Sequence, residues 1–413
     1  MAALLAATAL SAVAVAGGNR ARSSVSALPG LAIYTRSDDG RRGLFGLAAD
    51  GRSAAGWIAR PMAVETACPS PEGGAVALTI AGGGVRIVQR TSGAIRKLPF
   101  WASWSCAGWS ADGTLLLLVS PPLSCLPSQP NAPWQACSNA ARKVKVVPLH
   151  GNVLTLAFGP GRGFGSAAWA PKTHELAFVR LAHVGRDGAD GTGSIELARL
   201  SGAGLRLRAL GGSLHAKTVA WAPDERSLAV ESSPSQAGDG SSAISILDVA
   251  TGHTITLGRG RQPVWSSRGA LAWVCGRALC MRGAASAPVQ RIVAPAGWRP
   301  ADATGFYQDP AWSPDGSELA FETSPTRDSS RIVIWSAKTK RVRTLFRAEK
   351  NDQEAVPAWA PGGRYVAFWA GLFRGQAAIY TIKPYGKVAT LLSPQSHGGF
   401  AYDDGFFWWP SNR

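Results

Sequence analysis

The side chains able to do chemistry are few in this chain, and they stand in no arrangement that a familiar reaction needs. Six histidines, His150, His174, His183, His215, His253 and His397, are scattered without ligand spacing. The H-E-x-x-H pattern, which sets two histidines one helical turn apart for zinc, is absent. No G-x-S-x-G elbow presents a serine nucleophile. No G-x-x-x-x-G-K-[ST] loop offers its amides to a phosphate. Asp187-Gly188-Ala189-Asp190 and Asp403-Asp404-Gly405 place carboxylates on turns, where hard oxygens suit Ca²⁺. Neither follows the EF-hand ligand order, and both read as ordinary loop turns. There is no C-x-x-C, so zinc ribbons and thioredoxin-like sites are not expected. No metal and no cofactor is expected, and the balance leans toward binding rather than catalysis.

What remains is a set of polar and aromatic residues at a repeated place: Trp104, Lys217, Arg261, Gln308, Asp309, Glu354 and Asp404. Each stands just ahead of one copy of a recurring tryptophan phrase. If those phrases end the innermost strands of a ring, these residues surround one mouth of a central channel. Convergent polar groups around a concavity are the usual look of a binding site; a solvated rim is the plain alternative.

The phrase is what positions them. Its fullest copy is AWSPDGSELAF, Ala311 to Phe321. Others begin at Gly108 (GWSADGTLLLL), Ala168 (AWAPKTHELAF), Ala220 (AWAPDERSLAV), Val264 (VWSSRGALAW) and Ala358 (AWAPGGRYVAF). The tryptophans Trp109, Trp169, Trp221, Trp265, Trp312 and Trp359 are 60, 52, 44, 47 and 47 residues apart. Each phrase reads as strand, tight turn, strand: Pro presets φ, Asp bonds its own backbone and Gly tolerates positive φ. Two further strand-like runs follow each phrase, giving four short antiparallel strands per repeat. A four-stranded unit of this length is a propeller blade. The tryptophans are then structural, large rings wedged between blades, and not a ligand cage.

A degenerate copy at Cys68 (CPSPEGGAVAL) has Pro69 in the tryptophan's place. The C-terminal Trp409-Pro410-Ser411 opens a phrase that breaks off, while LAIYTR at Leu31, GLFGLAA at Gly43 and SAAGWIA at Ser53 supply three strands. Pairing the last strand with these three closes the ring and removes an open edge. The expected fold is all-β: a propeller of eight four-stranded antiparallel blades, with seven as the alternative. Residues 1–30 form an apolar segment and linker, and residues 31–413 a single propeller.

These phrases closely resemble the Trp-Ser-Pro-Asp-Gly repeats of TolB-like β-propellers, the WD40-like repeat family, over nearly all of residues 31–413. The resemblance implies an extracytoplasmic protein that binds partner proteins or peptides at the funnel. It carries no functional residue across, because the phrase is a folding motif. The separate N-terminal α/β domain of TolB is missing here, which argues against a role in the Tol–Pal system. Only four residues follow Trp409, so no hydrolase domain is expected beyond the propeller.

Residues 2–17 are an apolar run ending Ala14-Val15-Ala16, similar to a signal peptide with an A-x-A cleavage site, although no Lys or Arg precedes it. Export is the reading taken, with the segment cleaved or kept as an anchor. Six cysteines fit an oxidising compartment. Cys125 and Cys137 bracket a Pro/Ser-rich insertion; Cys275 and Cys280 flank a short turn; each pair is a disulfide candidate. Cys68 and Cys106 have equal parity relative to their repeats. They are expected to point the same way and to remain unpaired.

The formal charge is +17, from 43 basic and 26 acidic residues. Basic residues cluster on expected outer strands: Arg142, Lys143 and Lys145; Arg206 and Arg208; Lys338, Lys340, Arg341, Arg343 and Arg347. They protect exposed edges, or they draw the protein to an anionic envelope surface. No nucleic-acid fold motif is present, so nucleic acid is not expected as a partner. The expectation is thus an exported, monomeric, non-enzymatic propeller binding a protein, peptide or envelope component. The alternative is a hydrolase or lyase with catalytic groups lining the funnel.

Overall fold

The structure, a computed structural model, describes residues 31–38, 41–48, 56–59, 64–80, 84–89, 94–98, 100, 104–120, 143–157, 163–181, 193–201, 204–210, 215–233, 242–276, 278–283, 287–292, 310–326, 329–347, 354–370, 378–391 and 406–409. The described residues form strands and turns only.

The strands fall into antiparallel groups of four. In the first, β1 (Leu31–Asp38), β2 (Arg41–Ala48) and β3 (Gly56–Ala59) are joined by the last strand of the chain, β32 (Phe406–Trp409), in the order β3-β2-β1-β32. Leu31 stands opposite Trp409, and Tyr34 opposite Phe406. The second unit runs β4 (Val64–Pro69), β5 (Ala75–Ile80), β6 (Val85–Gln89), β7 (Ile95–Leu98). The third runs β8 (Ser105–Trp109), β9 (Leu115–Ser120), β10 (Lys143–Pro148), β11 (Leu154–Ala157). The fourth is β12 (Gly163–Trp169), β13 (Glu175–Leu181), β14 (Gly193–Ser201), β15 (Gly204–Leu210). The fifth is β16 (Ala216–Trp221), β17 (Ser227–Ser232), β18 (Ala243–Asp248), β19 (Thr254–Arg259). The sixth is β20 (Arg261–Trp265), β21 (Leu271–Cys275), β22 (Ala278–Arg282), β23 (Gln290–Ile292). The seventh is β24 (Ala311–Trp312), β25 (Glu318–Thr326), β26 (Ser329–Ser336), β27 (Val342–Arg347). The eighth is β28 (Glu354–Trp359), β29 (Val366–Ala370), β30 (Ala378–Ile382), β31 (Thr390–Leu391). The fourth and fifth units merge into one eight-stranded sheet where Gly193 pairs with Ala216. A Cβ on Gly193 would lie 1.9 Å from the Arg180 carbonyl oxygen, so this close approach requires glycine.

First strands of successive units lie side by side from β4 through β28; β28 lies against β32, and β32 against β4. The core is correspondingly laminar. Each described apolar cluster is built from two successive units: Ala77 and Ile87 pack with Leu116 and Leu118; Phe321 and Val333 pack with Val274 and Met281. The cluster joining the fourth and fifth units holds fourteen buried residues, whereas the one joining the fifth and sixth holds four: Ala229, Ile244, Leu271 and Trp273.

The phrase tryptophans hold these layers in register. Trp109 Nε1 donates to the Cys68 carbonyl (3.0 Å), Trp221 to Ala168 (2.9 Å), Trp265 to Ala220 (3.1 Å), Trp312 to Val264 (3.2 Å) and Trp359 to Ala311 (2.9 Å). In every case the acceptor is the residue just before the tryptophan, or its Pro69 equivalent, of the preceding unit. Trp169 is the exception: its buried Nε1 has no partner among the described residues. Its acceptor position is Gly108, where β8 is bulged and φ is +126°. Trp409 lies in β32, as expected of a phrase-opening strand.

The outer strands are clamped as well. Arg96 of β7 donates to the carbonyls of Pro148 (2.6 Å), Leu149 (2.8 Å) and Gly151 (3.2 Å) in the next unit. Arg208 of β15 reaches Val249 (3.1 Å), and Arg343 of β27 reaches Pro384. Lys145 lies over the rings of Phe100 (4.6 Å) and Trp104 (5.4 Å). Part of the basic surface therefore joins neighbouring units.

Two disulfides are described. Cys275–Cys280 spans the β21–β22 hairpin, with Cα atoms 5.7 Å apart. Cys68–Cys106 joins β4 to β8 at 6.2 Å, which corrects the expectation that these two stay unpaired. The cause is the β8 bulge. Cys106 is three residues before Trp109, but only two ladder positions away, because the register shifts between Cys106 and Gly108. Cys68 is one ladder position before Pro69. A bulge reverses the parity beyond it, so the two thiols face each other across the seam. Cys125 and Cys137 lie outside the described residues.

Candidate functional site

At the strand ends away from the phrase turns, the first strands share a local irregularity. β4, β8, β12, β16, β20 and β28 each carry a register shift just ahead of the phrase. A bulge inserts a residue, bends the strand and re-aims a side chain, which is why bulges recur beside functional sites. Lys217 is the bulged residue of β16, and Gln262-Pro263 that of β20.

Around these bulges a polar set assembles. Glu231, at the end of β17, is 8% exposed. Its Oε2 accepts from the Gln262 backbone N–H (3.0 Å) and from the Thr218 hydroxyl (3.4 Å). Gln262 holds φ +55°, an uncommon conformation for a residue with a Cβ. The Glu231 bond fixes that strained turn. Gln262 Oε1 is buried, with no partner among the described residues. Lys217 and Arg261 flank the pair, both half-buried, at corresponding places in the fifth and sixth units. In the seventh unit Glu322 occupies the position of Glu231, three residues after its leucine, and is 6% exposed.

Of the seven residues expected at the mouth, Lys217 and Arg261 adjoin in the chain the two residues that bond Glu231, Thr218 and Gln262. Trp104 is buried in the cluster between the second and third units, its ring 5.5 Å from that of Phe100. Glu354 opens β28, opposite Ala370. Gln308, Asp309 and Asp404 lie outside the described residues. Sequence reasoning passed over Glu231 and Glu322. The available signal was an acid inside an otherwise apolar strand, SLAVES and ELAFET, where a buried carboxylate needs a partner.

At the opposite strand ends, the phrase turns of the third and seventh units are caged by an internal Ser–Asp hydrogen-bond set. Ser313 Oγ donates to Asp315 Oδ1 (2.6 Å) and accepts from the Glu318 N–H (2.9 Å), while the Ser317 hydroxyl donates to Asp315 Oδ2 (2.6 Å). Hydrogen bonds from Ser313 and Ser317, aided by Arg268, bring Asp315 down to about 2. Asp112 holds the same place in the third unit. Burial alone would raise its pKa, but bonds from Ser110, His174 and Thr114 outweigh that and hold it well below the carboxylate range. Among the described residues, no group of three or more His, Cys, Asp or Glu side chains could hold a metal ion.

No protein-family model matches the chain, and no curated protein sequence matches it. Solved structures do. The chain is similar to the dihydro-heme d1 dehydrogenase NirN in complex with DHE, at 12% identity and TM-score 0.61, covering 91% of this chain and 74% of that one. It is similar to a eukaryotic initiation factor at 16% identity and TM-score 0.52, covering 92% and 98%. It is also similar to the β-propeller domain of Myceliophteria thermophila Cps50 (Swd1), at 15% identity and TM-score 0.49, covering 78% and 98%. The neighbours are β-propellers of varied function. The likeness gives this chain its fold, a β-propeller of four-stranded antiparallel sheets, and nothing of its activity.

Proposed function

We propose that the chain is an exported, eight-bladed, TolB-like propeller that binds a protein, peptide or envelope component at one mouth of its channel, without chemical turnover. Eight four-stranded groups and the pairing of β32 with β1 support the count and a closed ring. Pairing the last strand of the chain with the first group leaves neither terminus as an unpaired inner strand. The disulfides support an oxidising compartment.

The observation that carries the binding reading is the bulged end of β16 and β20. There the buried carboxylate Glu231 holds the Gln262 backbone, and Lys217 and Arg261 stand next in the chain to its two partners, Thr218 and Gln262. Buried polar groups cost stability unless satisfied. The unmet Gln262 Oε1 is therefore a natural point for a partner's donor. Asp309, Glu354 and Asp404 extend this mouth in the reading, making a mixed-charge ring suited to a polar peptide segment.

The test uses the intact protein as bait against an envelope fraction, beside the double variant D309N/E354Q. A species held by the wild type and lost by the variant, at unchanged thermal midpoint, supports the reading. Equal capture by both sinks it. Intact mass without reductant tests export separately. A start near Gly17 and a mass lower by two hydrogens per disulfide are expected; an intact Met1 with six free thiols overturns it.

A further inference from the structure

The phrase turns of neighbouring units are bridged to one another at three of the described seams. His174 Nε2 meets Asp112 Oδ2 at 2.7 Å between the third and fourth units. Glu225 Oε1 accepts from the Thr173 N–H (2.9 Å) and from that of Lys172 between the fourth and fifth. Ser267 Oγ donates to the Pro314 carbonyl (2.9 Å), and Arg268 Nε to that of Asp315 (2.6 Å), between the sixth and seventh. Between the fifth and sixth no hydrogen bond joins the two turns among the described residues, and this seam alone combines that with a shortened turn.

The sequence explains the gap. The other described turns close over five residues, as in Ala222 N–H to Ser227 carbonyl, but the sixth unit's turn closes over four, Ser266 to Ala270. VWSSRGALAW is one residue short. Its turn cannot reach back, and the apolar cluster beneath it is the smallest of those described. What stands there instead is a cavity of about 420 Å³, within the size of small-molecule sites.

The cavity's walls carry a net positive charge. Lys172, Arg268 and Arg282 line it against the single carboxylate Asp224, with Trp265 and Ile246 as apolar surface. Two of the three cations are placed by their surroundings. Arg268 is held by Asp315, through Nε at 2.6 Å and Nη2 at 3.7 Å. Arg282 donates Nε to the Ala287 carbonyl (3.2 Å), and its terminal nitrogens have no partner among the described residues. Lys172 spends its backbone N–H on Glu225, and its ammonium has no partner there either. Asp224 is turned inward on its own turn, accepting from the Arg226 N–H (2.9 Å).

We propose that this seam is a binding site for a small organic anion: a carboxylate or similar group, carried on a flat apolar body. Lys172 and Arg282 take the anionic group in charge-assisted hydrogen bonds, and the body lies against Trp265 and Ile246. The site stands at the opposite strand ends from the channel mouth and is independent of it.

Titration calorimetry of the intact protein with 2-naphthoate, and with its uncharged analogue 2-naphthamide, tests this. Saturable one-to-one binding of 2-naphthoate is expected, at least about tenfold tighter than the amide, because charge-assisted bonds are the stronger kind. K172Q/R282Q should lose about tenfold or more in affinity for 2-naphthoate. Rising salt should weaken the wild-type complex. D309N/E354Q should bind 2-naphthoate as the wild type does. Absence of saturable binding, equal affinity for the two ligands, or full affinity in K172Q/R282Q overturns the proposal. The comparison of ligands on the wild type stands even if the double variant folds poorly.

Discussion

Replacing Trp221 and Trp169, separately, by phenylalanine asks whether the indole nitrogens hold the units together. Both changes keep an aromatic ring in the seam and remove the same volume, so their packing costs are similar. They differ in the hydrogen bond. Trp221 Nε1 donates to the Ala168 carbonyl at 2.9 Å, and W221F loses a bond worth about 0.5–1.5 kcal/mol net. Trp169 Nε1 is buried without a partner among the described residues. W169F therefore removes an unsatisfied donor and relieves a desolvation cost of about 1–3 kcal/mol. W221F should be less stable than W169F by about 2 kcal/mol or more. Urea unfolding followed by far-ultraviolet circular dichroism gives both values, with equal slopes showing that the denatured states match. If W169F is destabilised as much as W221F, the indole–carbonyl clasp contributes nothing, and the tryptophans act by bulk alone.

Asp315 lies well below the usual 3.8, at about 2, chiefly through hydrogen bonds from Ser313 and Ser317. A carboxyl depressed on folding stabilises above its unfolded pKa and loses that stabilisation as pH falls through its folded one. Wild-type stability should therefore drop between about pH 4 and pH 2, and D315N should flatten part of that drop; thermal midpoints across this range that are parallel for the two proteins would refute it. Arg96 gathers three carbonyls of the next unit. R96A should cost about 1–2 kcal/mol in urea unfolding, and R96K should recover little, because an ammonium cannot reproduce the planar fork; full recovery by lysine would show that charge alone matters.

The fold was readable because the phrase repeats its whole logic each time. Pro or Ser, Asp and Gly in AWSPDGS fix the turn, and the tryptophan ahead of it fixes which strand faces the preceding unit. What escaped sequence reading was register. The bulge between Cys106 and Gly108 leaves no compositional mark except Gly108 itself, yet it turns Cys106 toward Cys68 and deprives Trp169 of an acceptor. Parity counting assumes an unbroken ladder, and six of the first strands break theirs. The site suffered for the same reason. Lys217 and Arg261 were legible as residues before a phrase, but Glu231 and Gln262 meet only because β16 and β20 are both bulged. The basic outer strands were legible as charge and not as clamps, since a guanidinium's partner carbonyls lie in the next unit, about a blade's length away along the chain.

A ring of stacked units draws its stability from the interfaces between neighbours, so any interface can be weakened locally while the rest keeps the molecule folded. The seam between the fifth and sixth units has a shortened turn, no turn-to-turn bond among the described residues and only four buried apolar residues in its cluster. At the neighbouring fourth–fifth seam the same position is spent on cohesion: Glu225 adopts φ +61°, where its counterpart in the seventh unit is Gly316, and its carboxylate bonds the fourth unit. A residue held in that conformation costs stability that the bond across the seam offsets. The sixth unit gives up both the bond and the residue that would make it. What it gains is room beside Trp265 for Lys172 and Arg282 to face a cavity instead of a partner. Cohesion at one seam has been exchanged for concavity, and that exchange is tolerable because the neighbouring seams still hold the strands in place.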